Sequence, residues 1–115
     1  MADNQAFKDR IDAERLSGII NQCFDLSTNS SVSPGQQTEF LAAGKRLRGY
    51  LLNLVSARFA PRTVALDAAN RALQRAVIAL QADVKKVENT KAAINTLASL
   101  VTVLDTALTA ASKFL

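Results

Sequence analysis

From Arg62 to the C-terminal Leu115 the chain contains no glycine and no proline. Over that stretch Leu66, Leu73, Leu80, Val87, Ile94, Val101, Leu108 and Leu115 place a large aliphatic side chain at every seventh position. A seven-residue period is close to two helical turns, so these side chains line one ridge of an α-helix and need a second helix to cover them. The feature points to an all-α fold, an antiparallel bundle of three to four helices with a coiled-coil-like C-terminal half. The ridge residues are the candidate self-association positions.

The companions of the ridge change along its length. Val77 and Val84 precede it by three residues in the first half, whereas Leu97, Leu104 and Ala111 follow it by three in the second. Lys91 stands where an apolar partner is expected. Two architectures fit this shift. In one, a turn at Glu88–Thr90 separates two helices, with Asn89 in a left-handed cap and Thr90 as the next N-cap. In the other, a single helix of about 80 Å continues through with a local change of supercoil, and a second chain covers it.

Upstream, residues 4–26 read as a first helix. Ala13, Leu16, Ile19, Ile20, Cys23 and Phe24 share one arc, while Phe7 and Ile11 lie off it. Asp3, Asp9, Asp12 and Glu14 crowd the first half, where the helix dipole favours acids. The segment "STNSSVSPG" is a loop ending in a start signal, with Ser33 as N-cap and Pro34 at the first helical position. A second helix is expected from about Pro34 to Phe59. Phe40, Leu47, Leu51, Leu54 and Val55 line its apolar side, widened by Leu41, Leu52 and Phe59. Gly44 in that face permits close helix approach. "APR" at 60–62 breaks the chain, because proline disfavours helical geometry at the residue before it.

The 115 residues suit one domain, 1–115, with a modest core. Histidine is absent, which removes the usual general base near neutral pH and the commonest nitrogen ligand for metals. One cysteine, Cys23, excludes an internal disulfide and falls on an apolar arc, as an inert core residue does. The N-terminus lacks the apolar stretch of a signal peptide, and a cytoplasmic location is expected. No glycine-rich phosphate loop is present. The expectation is a protein that is not an enzyme, with no cofactor and no metal.

The net charge of +4 is unevenly spread, the first 33 residues being acidic and residues 34–62 basic. Lys45, Arg46, Arg48, Arg58 and Arg62 form a candidate anion-binding stretch, yet Lys45 and Arg46 point about 100° apart on a helix. Arg48 falls among Leu41, Leu52 and Val55, and inside a core it would need a carboxylate such as Asp12, Asp25, Asp83 or Asp105. The segment "GKRLRGYLL" resembles the short basic motif with which isoprenyl diphosphate synthases hold a diphosphate. Those enzymes also require aspartate-rich magnesium motifs; here no two acids between positions 25 and 105 are adjacent, and no enzymatic role is carried over.

The last segment has only Asp105 and Lys113 as charges after Lys91. Its length is marginally sufficient to cross a membrane. Asp105 near the middle would cost about 2.5–3.5 kcal/mol there, and four threonines weaken the hydrophobicity further. A membrane span is disfavoured. The reading reached is a scaffold or regulatory bundle acting through protein–protein contacts, as a homo-oligomer or with a helical partner. Its alternatives are an anionic-ligand or nucleic-acid binder through residues 45–62, and a membrane-active protein inserting residues 92–115.

Overall fold

The structure, a computed structural model, describes residues 10–57 and 64–112. These form four α-helices and, among the described residues, no strand: α1 (Ala13–Ser27), α2 (Pro34–Leu54), α3 (Val64–Leu80) and α4 (Val87–Ser112). The chain is an all-α helical bundle. Its long dimension is 42 Å, close to the ~39 Å that the 26 residues of α4 span. That length rules out the ~80 Å continuous helix.

The turn between α3 and α4 lies at residues 81–86, earlier than the expected 88–90. It is closed without glycine or proline. The Asp83 carboxylate accepts from the Lys85 amide at 3.0 Å, and the Asn89 side chain donates to the Asp83 carbonyl at 3.1 Å. Asn89 and Thr90, expected to form the break, sit inside the first turn of α4.

The starts of α1 and α2 have local causes. Asp12 caps α1 by accepting from the Arg15 amide at 3.1 Å. Residues 10–12 are not helical, so the first helix begins at 13 in the described residues, and positions 4–9 of the expected helix lie outside them. Ile11 is off the helical arc because it precedes the helix, and it tucks into the core. Asn70 of α3 fixes this entry. Its carbonyl accepts from the Asp12 amide at 2.9 Å and its amide donates to the Arg10 carbonyl at 3.2 Å. At α2, Ser33 caps the Gln36 amide and Pro34 opens the helix, as expected. The helix ends at Leu54 rather than Phe59, with Ala57 folded back into the core. Phe59 and the break at 60–62 lie outside the described residues.

Helices α1 and α2 form one hairpin and α3 and α4 another. The hairpins pack so that α1 lies beside α3 and α2 beside α4, while α2 and α3 sit on a diagonal. Both hairpin loops are at one end, where the Thr90 hydroxyl donates to Gln36 Oε1 at 2.6 Å. One core runs through all four helices: Leu16, Ile19 and Cys23 from α1, Phe40, Leu47 and Leu54 from α2, Leu66 and Leu73 from α3, Leu97, Leu100 and Leu104 from α4. Gly44 admits α1 closely. A Cβ placed there would stand 3.2 Å from Cys23 Cβ and 3.0 Å from Phe24 Cε1.

Candidate interaction surfaces

The aliphatic row at every seventh position divides between two environments, because the 81–86 turn separates its halves. Leu66, Leu73 and Leu80 are buried in this chain's own core and offer no surface to a second copy. Val87 is 63 % exposed at the first position of α4. Ile94, Val101 and Leu108 are half-buried along the edge of α4, and Leu115 lies outside the described residues. The buried row of α4 is instead Thr90, Ala93, Leu97, Leu100, Leu104, Ala107 and Ala111.

The face of α4 turned away from this row carries Ala92, Asn95, Ala98, Ser99, Thr102, Asp105, Thr106 and Thr109, all exposed. Between Ala92 and Ser112 its single charge is Asp105, which accepts a hydrogen bond from the Tyr50 hydroxyl of α2 at 3.0 Å. The threonine hydroxyls donate to carbonyls one turn back: Thr96 to Ala92, Thr102 to Ala98, Thr106 to Thr102 and Thr109 to Asp105, at 2.9–3.3 Å. Such back-bonded hydroxyls already have a use for their proton. Taking this face out of water therefore strands few donors. The most apolar stretch of α4 is only 33 % buried within the chain. Beside it, a groove of about 390 Å³ between α2 and α4 is lined by Ala42, Ala43, Arg46, Ile94, Ala98 and Val101, among others.

The three described cations of the basic stretch divide between two flanks of α2. Lys45, Arg46 and Arg48 are all exposed, and Arg58 and Arg62 lie outside the described residues. Arg46 borders the α2–α4 groove and acts electrostatically on Tyr50. Lys45 and Arg48 point along a different flank. Arg48 does share its face with Leu41, Leu52 and Val55, but that face is solvent rather than core. Leu52 is 73 % exposed, Val55 56 % and Leu41 37 %. No carboxylate partner is needed there and none is present among the described residues, whose ion pairs are Arg15–Asp12 at 3.0 Å and Arg71–Asp67 at 3.2 Å, each within one helix turn. Asp105, one of the four candidate partners for Arg48, is engaged by Tyr50.

The remaining features carry little chemistry. A shallow groove of about 450 Å³ between α1 and α3 is bordered by Glu14, Arg15, Gly18, Gln22 and Val77. Cys23 is fully buried and free, and burial pushes its thiol up to about 12. Among the described residues no three His, Cys, Asp or Glu side chains come together as a metal site would require. Compared with known protein families, curated proteins and solved structures, the chain matches none.

Proposed function

We propose that this chain is an interaction module that works by pairing and performs no reaction, and that the outward face of α4 meets a second copy of the chain. The observation that carries this is the chemistry of that face. A solvent-facing helix surface of this length ordinarily bears several charges. From Ala92 onward this one bears a single carboxylate, already hydrogen-bonded, among small residues and back-bonded threonines, and the exposed Glu88 and Lys91 of its first turns are of opposite charge. The half-buried row Ile94, Val101 and Leu108 adds apolar edge beside it. A second copy is favoured as occupant because the face is nearly neutral. Two identical surfaces related by a two-fold axis meet there without like-charge repulsion. Sedimentation velocity across a dilution series tests the reading. A concentration-dependent dimer is expected, abolished by Thr102→Lys with helicity unchanged. A protein that stays monomeric throughout, or a Lys variant that associates as well as the parent, overturns it.

A second reading has the same helix entering a bilayer. It is favoured by the stretch Val87–Ala111, 25 residues whose most apolar 18-residue window has a mean hydropathy of 1.4, long and apolar enough to cross. Asp105 opposes it. Flotation with neutral and anionic vesicles separates the two, since pairing between copies needs no lipid. The anionic-ligand reading has less support, because Lys45 and Arg46 point in different directions and phosphate binding needs several cations on one surface.

A further inference from the structure

On α2 the residues Leu41, Lys45, Arg48, Leu52 and Val55 follow one another at intervals of four, three, four and three. At 100° per residue they fall within about 80° of arc, a strip running most of the helix. All five are exposed. The strip flanks the α1 side of α2, away from the groove shared with α4; Gly44, between the strip and the core row, touches Cys23 and Phe24 of α1. Alternating four- and three-residue steps are what one helix shows another when side chains interlock across a seam. The ends of the strip are aliphatic and its middle is cationic. Lys45 and Arg48 have no ion-pair or hydrogen-bond partner among the described residues, and no acid stands on the strip.

We infer that this strip docks an acidic amphipathic helix of a different protein, with apolar residues meeting Leu41, Leu52 and Val55 and carboxylates meeting Lys45 and Arg48. A second copy of this chain is a poor occupant, since two such strips would bring like charges together. The layout also favours a helix over a lipid surface. A helix lying on a bilayer carries its cations along the borders of a wide apolar face. Here the cations interrupt a narrow strip at its centre, where only a facing carboxylate answers them. Charged groups within a helical seam set register and partner choice.

The inference is independent of pairing through α4 and is tested on the Thr102→Lys protein as well as on the parent. The probe is a fluorescent synthetic helical peptide with leucines spaced to meet Leu41, Leu52 and Val55 and glutamates opposite Lys45 and Arg48. Its control carries lysines in place of the glutamates. Anisotropy is expected to show salt-sensitive binding of the glutamate peptide only. Lys45→Glu with Arg48→Glu weakens it by at least about tenfold and admits the lysine peptide instead. Leu52→Glu also weakens it, while thermal melts confirm that these surface variants fold. Failure of the glutamate peptide to bind, or equal binding of both peptides, overturns the inference. So does Lys45- and Arg48-dependent binding to phosphatidylglycerol vesicles without binding to the peptide.

Discussion

Tyr50 on α2 donates its hydroxyl proton to Asp105 on α4 at 3.0 Å, across residues 55 positions apart in sequence. The bond requires the phenol to keep its proton, so the Tyr50 pKa lies above its ordinary 10.0. Burial and the negative charge of Asp105 add to the rise, and Arg46 opposes it. The folded chain thus holds this proton more tightly than the unfolded chain. The resulting stabilisation is complete below pH 10 and is lost as pH rises through the folded-state value. Tyr50→Phe is expected to lower stability by about 0.5–1 kcal/mol at neutral pH, the low end for a hydrogen bond because water reaches it. It should also flatten the alkaline fall in stability. Urea titrations at neutral pH and above pH 10 measure both effects.

Cys23 gives a second expectation. With the thiol pushed up to about 12 by burial, the reactive thiolate is scarce at neutral pH and shielded besides. Native protein should resist iodoacetamide, and alkylation should proceed only through unfolding, at a rate that rises with urea. Mass spectrometry of timed samples reads it directly. Rapid labelling of the native protein would contradict the burial of this side chain.

Gly44 and Gly49, the two glycines in the interior of α2, should separate cleanly on substitution by alanine. Gly49 has nothing within 4 Å of an added Cβ, so Gly49→Ala should stabilise by about 0.5–1 kcal/mol through helix propensity alone. At Gly44 the same change drives a Cβ to 3.2 Å from Cys23 Cβ, which is fixed to the α1 backbone. The packing of α1 on α2 must give by a few tenths of an ångström to admit it. Overpacking of about 1–3 kcal/mol outweighs the propensity gain, and Gly44→Ala should be destabilising. Chemical denaturation of the two variants in parallel decides the sign.

Thr90, the one buried polar residue among the described positions, is 3 % exposed. Its hydroxyl lies 2.6 Å from Gln36 Oε1 and 3.0 Å from the Val87 carbonyl, with one proton to give. Thr90→Val keeps the shape but leaves the half-buried Gln36 oxygen without this donor. A loss of about 1–2 kcal/mol is expected. Gln36→Leu in the same background should recover part of it, since two apolar partners need no hydrogen bond. Thermal melts of the single and double variants provide the comparison.

Where the chain announces structure through local chemistry, the sequence is a reliable guide. Ser33 and Pro34 start α2 as their chemistry requires, and Leu97, Leu104 and Ala111 belong to the buried row of α4. On α2, apolarity does not amount to burial. Leu41, Leu52 and Val55 are as aliphatic as Leu47 and Leu54, so composition alone drew one wide arc on α2; the helix in fact carries two separate ones. Arg48 was the sign of the division, since its charge sits comfortably only on the exposed one.

The 81–86 turn escaped for a different reason. In place of glycine or proline it uses hydrogen bonds that Asp83 accepts from the Lys85 amide and the Asn89 side chain. A search for helix breakers passes over it, and the seven-residue period continues straight across. The back-bonded threonines of α4 were visible as a polar stripe. Their internal satisfaction was not, because it depends on side-chain rotamers that no spacing encodes.

The pairing of each helix with its neighbour along the chain has a kinetic consequence. Within each hairpin, loops of about six residues bring the packed surfaces together at short sequence separation, and short loops close in tens of nanoseconds. The slow event is then the docking of two preformed halves, α1–α2 onto α3–α4, whose joint is secured by Asn70 at one end and by Gln36 with Thr90 at the other. The search that limits folding is therefore expected at the seam between the hairpins, where the single core shared by all four helices is completed.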